Sequence, residues 1–132
     1  LPANPIIVEA GAFTGHDTIR MATQWPAAHI HAFEPVPELF EELKNTTHRI
    51  ATIHCYKQAL ATTTGTAALH LAQKPHTQSI TQASSLRAPK ERLKHSPILF
   101  SRTIMVPTTT LDDWATTQGI TAIDFLWLDM QG

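Results

Sequence analysis

Three carboxylates, Glu9, Glu34 and Asp129, each follow a short apolar run: residues 6–8, 29–33 and 123–128. Such runs read as buried strands. The acids therefore stand at the carboxyl ends of strands, the rim where open α/β sheets bind ligands. Glu9 leads into Gly11-Ala12-Phe13-Thr14-Gly15. Glycines in such a turn let the backbone approach a ligand closely and tolerate strained dihedrals. Glu34 comes 19 residues after Gly15. A carboxylate placed there can accept two hydrogen bonds from ribose hydroxyls.

The kind of nucleotide follows from what the turn lacks. Dinucleotide folds use G-x-G-x-x-G to bring backbone against a pyrophosphate. Here the spacing is G-x-x-x-G, and no G-x-x-x-x-G-K-[ST] loop occurs. A negative Glu9 at the end of the first strand also suits a pyrophosphate poorly. It suits a ligand carrying a cationic amine, which points to S-adenosylmethionine. His16, just after the glycine turn, and Asp129 are the candidate general bases. The eight histidines are scattered, with no H-E-x-x-H and no three ligands at zinc spacing, so no metal site is expected.

Several elements must position these groups. A helix is expected from His16, ended by Trp25-Pro26 because proline cannot continue it. Pro37 suits the first turn of a second helix, with Glu38, Glu41 and Glu42 near its positive end and Leu39, Phe40 and Leu43 forming an apolar stripe. A third strand is read over residues 50–56. The order to this point is βαβαβ, half of a doubly wound sheet. Beyond it, Gly65 and the alternation of Leu69, His70 and Leu71 suggest an inserted hairpin. Residues 74–96 are polar and read as a long loop or short helix; Lys90, Arg92, Lys94 and His95 in it could meet an anionic acceptor. A further strand is expected within residues 98–106. Thr110 followed by Asp113 resembles a capping box, and Gly119 can end that helix in the left-handed conformation. Trp114 and Trp127 read as packing residues, as do His54 and Cys55. Residues 123–128 form the fourth main strand, which pairs with the first if the strand order reverses there.

Composition bounds the rest. The chain has 132 residues, 42% hydrophobic and 16% charged, with a net charge of -1. This is enough apolar material for one core and too little length for two full domains. No basic stripe supports nucleic-acid binding. No apolar run reaches membrane-spanning length and no signal segment opens the chain, so a cytoplasmic protein with no membrane partner is expected. One cysteine, Cys55, excludes an intrachain disulfide.

With these residues in hand, the chain resembles the FkbM-type family of class I S-adenosylmethionine-dependent methyltransferases. Glu9-Ala10-Gly11-Ala12-Phe13-Thr14-Gly15 is similar to the family's first motif, and Phe33-Glu34-Pro35-Val36-Pro37 to the acidic end of its second strand. Thr109-Thr110-Leu111-Asp112-Asp113 is similar to its T-L-D-[DE] segment, and residues 124–132 to its fourth-strand motif. The resemblance implies a Rossmann-like α/β fold, residues 1–132 forming the N-terminal part of one methyltransferase domain that ends after the fourth main strand. It implies that Glu9 and the backbone of Gly11, Ala12, Phe13, Thr14 and Gly15 hold the methionine part of the cofactor. Glu34 would hold the ribose, Phe33 and Pro35 would lie beside the adenosine, and Gln58 and Ala59 on the adenine side. Asp129 would face the methionine end or the acceptor. The family commonly has Asn where Phe13 stands, Lys at the place of Trp127 and Glu at that of Gln131.

The expected activity is O-methylation of a small-molecule or sugar hydroxyl. Two other readings stay open: an NAD(P)-dependent oxidoreductase, and a truncated, non-catalytic domain that binds nucleotide or supports assembly. A fourth strand left as a raw edge would invite pairing with a second copy.

Overall fold

A computed structural model of the chain describes residues 4–73 and 99–128. In chain order its elements are β1 (Ile6–Ala10), α1 (His16–Gln24), β2 (His29–Phe33), α2 (Pro37–Thr47), β3 (Ile53–Tyr56), β4 (Ala59–Leu60), β5 (Gly65–Gln73), β6 (Leu99–Thr109), α3 (Leu111–Gln118) and β7 (Phe125–Leu128). The described residues fall into two compact units. One runs to Gly65 and resumes at Pro107; the other begins at Thr66 and ends at Val106.

The first unit is built on a four-stranded sheet in the order β3-β2-β1-β7. Every pairing in it is parallel, with Val8 opposite His31 and Leu126, and Ala32 opposite Cys55. The chain winds outward from β1 to β3 and then places β7 on the other side of β1. This is the Rossmann-like α/β arrangement, with β1 at the topological switch point. Alternation along the strands gives the sheet two apolar faces. On one, Ile7, Ile30 and Ile53 pack with Met21 of α1, while Ala32 packs with Phe40 and Leu43 of α2. On the other, Val8, Ala10 and Phe33 pack with Leu60 and with Trp114 of α3. Trp114 is 3% exposed, the core anchor its sequence position suggests.

Differences from the sequence reading have local causes. The third strand starts at Ile53 rather than Ile50, because residues 50–52 turn out of α2: Ile50 N–H bonds the Thr47 carbonyl, and Ile53 N–H bonds that of Ile50. Trp127 does not pack inside; with Leu126 and Leu128 it lies exposed on β7, at one edge of the sheet. The inserted segment supplies β5 and β6, in a three-stranded sheet ordered β4-β6-β5. There Ala59 and Leu60 pair in parallel with Thr108 and Thr109. Lys90, Arg92, Lys94 and His95 lie outside the described residues.

The start of α3 keeps half of the expected capping box. Thr110 Oγ1 accepts from Asp113 N–H at 3.0 Å. The reciprocal arm, from Asp113 back to Thr110 N–H, is carried by a third residue. Thr110 N–H donates to Thr64 Oγ1 at 3.0 Å, and Thr64 Oγ1 donates to Asp113 Oδ2. Asp is one methylene shorter than the usual Glu, and the threonine hydroxyl spans the gap. At the other end of α3, Gly119 takes φ 70° and Ile120 N–H returns to the Ala115 carbonyl, the left-handed stop expected of glycine.

Polar aromatics line the α3 side of β2 and β3. The His31 ring stacks on His54 at 4.9 Å and meets Trp114 edge-on at 4.9 Å. Its Nδ1 lies 2.9 Å from the Tyr56 hydroxyl, and His29 Nδ1 is 3.2 Å from His54 Nε2. Burial first, then the neighbouring His54 and His29, lower the His31 pKa to about 4. The unfolded chain, with an ordinary value near 6.5, takes up this proton first. Stability carried by neutral His31 is thus lost as pH falls below about 6.5 toward 4. His31→Phe keeps an aromatic ring and removes the titration. Its urea midpoint, relative to the parent, is expected to rise progressively from pH 6.5 to 4. A difference that does not change with pH would contradict the burial of a neutral imidazole here.

Candidate functional site

The rim at the switch point is organised by the turn between β1 and α1. Gly11, Phe13 and Gly15 have φ of 79°, 59° and 98°, so alternate residues of the turn are left-handed. That folding points successive amides at the end of β2: Gly11 and Ala12 N–H both donate to the Phe33 carbonyl, at 3.0 and 2.9 Å. Phe13 N–H donates to Glu34 Oε1 at 2.9 Å. Glu34 Oε2 accepts from Val36 N–H at 3.0 Å. The backbone of Glu34 is held in turn by the Tyr56 carbonyl at 3.0 Å. The ends of β1, β2 and β3 are thereby tied through one residue.

Gly15 serves two needs. It caps α1 with left-handed φ, and Ile19 N–H bonds its carbonyl at 2.9 Å. It also faces α2 so closely that a Cβ would lie 3.1 Å from Leu43 Cδ1 and 3.5 Å from the Thr46 and Thr47 methyls.

The two described acids of the rim differ in environment. Glu34 is 5% exposed; burial raises its pKa to about 7, against the lowering effect of the Val36 and Phe13 amides. Each of its oxygens accepts one amide, which leaves acceptor capacity on both. Glu9 is 1% exposed and accepts a hydrogen bond from the Thr18 hydroxyl of α1. The Phe33 ring is enclosed, stacked on Tyr56 at 4.8 Å and edge-on to Trp114 at 5.3 Å, so it is the Phe33 carbonyl that reaches the turn. Pro35, Thr14 and Gln58 are half-buried, Ala12 and Ala59 buried, and His16 exposed at the first position of α1. Asp129 lies outside the described residues. Glu9, the glycine turn, Phe33 and Glu34 are thus brought together at one rim. Among the described residues no cluster of His, Cys, Asp or Glu could hold a metal ion, and no helix is long and apolar enough to cross a membrane.

Sequence reasoning missed Thr18 and the three α2 residues beneath Gly15. Thr18 could have been found from its place three residues into α1, on the turn of helix that follows the glycine loop. The α2 contacts carry no comparable sequence signal.

A parallel sheet with a switch point at β1, a glycine turn there and an acid closing the second strand define a Rossmann-like α/β fold. A family model for the Methyltransferase FkbM domain matches residues 9–132; the chain belongs to the FkbM methyltransferase family. It is 27% identical over 131 residues to the 2-O-methyltransferase NoeI of Sinorhizobium fredii, covering 98% of this chain and 54% of the relative. It is 46% identical over 43 residues to the methyltransferase sdnD of Sordaria araneosa, covering 33% of this chain and 17% of that protein. The chain thus spans about half the length of the first relative and less of the second. A solved coclaurine N-methyltransferase, bound to N-methylheliamine and S-adenosylhomocysteine, matches 48% of this chain and 21% of its own at 11% identity, with a TM-score of 0.40.

The turn's conformation gives two opposite expectations. Gly15→Ala meets left-handed φ and the Leu43 contact together and is expected to destabilise by about 1–3 kcal/mol. Phe13→Asn, whose residue type accepts positive φ more readily, is expected to stabilise by up to about 1 kcal/mol. Urea unfolding of both variants checks this. A Gly15→Ala protein as stable as the parent would show that the turn is not held as described.

Proposed function

We propose that the protein binds S-adenosylmethionine at this rim and takes part in transferring its methyl group to a hydroxyl oxygen of a small molecule or sugar. The observation that carries the reading is the Glu34 carboxylate, held by the amides of Phe13 and Val36 at the end of β2 with acceptor capacity remaining on both oxygens. The donor set fits such a cofactor. Glu34 can take the ribose hydroxyls, the left-handed turn offers backbone close to the ligand, and Glu9 supplies a negative charge for the methionine ammonium. Family membership and the 2-O-methyltransferase relative favour methyl transfer to oxygen over a redox reaction, and the turn lacks the G-x-G-x-x-G fingerprint of an NAD(P) enzyme.

When bound, the cofactor supplies a methyl carbon activated by a sulfonium. The chain's share is positioning: holding the nucleoside by Glu34 and the turn fixes the methyl for an in-line acceptor, and such orientation does much of the work of a displacement. A hydroxyl acceptor must lose its proton as the bond to carbon forms. His16 and Asp129 are the groups we assign to that task, His16 from the exposed start of α1 and Asp129 from its sequence place after β7.

Glu34 makes binding pH-dependent. Ribose hydroxyls donate to the ionised carboxylate, and burial holds its pKa near 7. Affinity for S-adenosylhomocysteine is therefore expected to rise between pH 6 and 8. Calorimetric titration of the purified protein should show one-to-one binding of S-adenosylhomocysteine and none of NAD. Glu34→Gln should weaken it by about 10- to 100-fold, the range for hydrogen bonds to a charged group, and flatten the pH profile. Equal binding of NAD, or an unchanged Glu34→Gln affinity, would overturn the reading.

A further inference from the structure

Glu9 is the most deeply buried acid among the described residues, 1% exposed on the second-to-last position of β1. Strand register sets it between Ala32 and Trp127, on the sheet face that α1 and α2 cover. A carboxylate in such a place is costly unless its oxygens are hydrogen-bonded. It is also of little use to a ligand unless its orientation is fixed.

Thr18 serves one of these oxygens. It is fully buried, and its hydroxyl donates to Glu9 Oε1. Its location follows from the turn: Gly15 starts α1 in left-handed conformation, and the third residue of the helix falls directly over the end of β1. A β-branched threonine in a helix has few χ1 choices, so the hydroxyl is itself held. The bond therefore links the first turn of α1 to the end of β1 by a side chain, in addition to the backbone turn.

We propose that Thr18 is a positioning residue: its hydroxyl sets the orientation in which the Glu9 carboxylate receives the ammonium group of the cofactor's amino-acid end. The inference rests on the cofactor reading above and deepens it, because it concerns one end of the ligand only. Loss of the Thr18 hydroxyl disturbs recognition of the amino-acid end and leaves the nucleoside, held by Glu34 and the turn, as it was.

Two ligands separate these ends. S-adenosylhomocysteine carries the amino-acid end, whereas 5′-methylthioadenosine has the same nucleoside and sulfur without it. Both are titrated into the purified parent, Thr18→Val, Thr18→Ser and Glu9→Gln proteins at one pH. Thr18→Val keeps the shape and removes the donor. It is expected to weaken S-adenosylhomocysteine about tenfold and to leave methylthioadenosine within about twofold, the tenfold step being the size of one such hydrogen bond. Thr18→Ser is expected to restore the parent ratio of the two affinities, which a merely structural role would not require. Equal loss for both ligands in Thr18→Val would overturn the proposal by making Thr18 a brace for the whole site. If Glu9→Gln lowers the ratio while Thr18→Val does not, the positioning role fails and the cofactor reading stands. If Glu9→Gln leaves the ratio unchanged, the assignment of Glu9 to the ammonium fails, and the inference with it.

Discussion

The amide protons of Gly11, Ala12 and Phe13 are gathered by two adjacent residues of the neighbouring strand, the first two by the Phe33 carbonyl and the third by the Glu34 carboxylate. Buried amides left without acceptors would cost as much as lost hydrogen bonds, so the turn can fold only where β2 already ends. That dependence orders the rest of the rim. It forces left-handed backbone at alternate residues, which lets α1 start at Gly15, which in turn brings Thr18 over Glu9. Any displacement of β2 against β1 breaks the three amide contacts together.

The two sheet faces do different work. The face under α1 and α2 is aliphatic over β1 to β3, with Phe40 of α2 and Phe125 of β7 packed at its margins, and carries one buried acid, Glu9, at its rim. The face under α3 is aromatic, with His31, Phe33, Tyr56 and Trp114 meeting through ring contacts. Ring edges and faces have preferred arrangements, so this side fixes geometry as well as burying area. It places Tyr56, whose carbonyl holds the Glu34 backbone, against a rigid support.

Much of this was legible in residue order. Branched apolar runs located β1 and β2, Pro37 located α2 to within a residue, and Gly119 marked the end of α3. The acids were readable as rim groups because they immediately follow those runs. What escaped depended on contacts distant in sequence. Ile50 looks like a strand residue, yet its amide completes the exit from α2. Thr18 looks like an ordinary helix residue until β1 is placed beneath it. Trp127 looks like core, yet it lies exposed because β7 is an edge of the sheet among the described residues, a position that local patterning does not encode. Phe13 shows the reverse: a bulky residue in left-handed backbone, where propensity alone would place glycine or asparagine.

Thr64 has a consequence for how this domain can change. Its hydroxyl bonds both the first amide and the third side chain of the α3 cap, while Thr108 Oγ1 donates to the Thr63 carbonyl at 2.8 Å. The chain therefore departs for the inserted segment and returns from it at one stapled root. Closing a loop costs free energy that grows only with the logarithm of its length, and here the ends are already joined by side chains belonging to the sheet-bearing unit. The two points where the chain leaves and re-enters the first unit are thus held to one another by that unit's own side chains. A change in the length of the segment between those points leaves the contacts at the root with their own partners, because none of them is made by the segment itself.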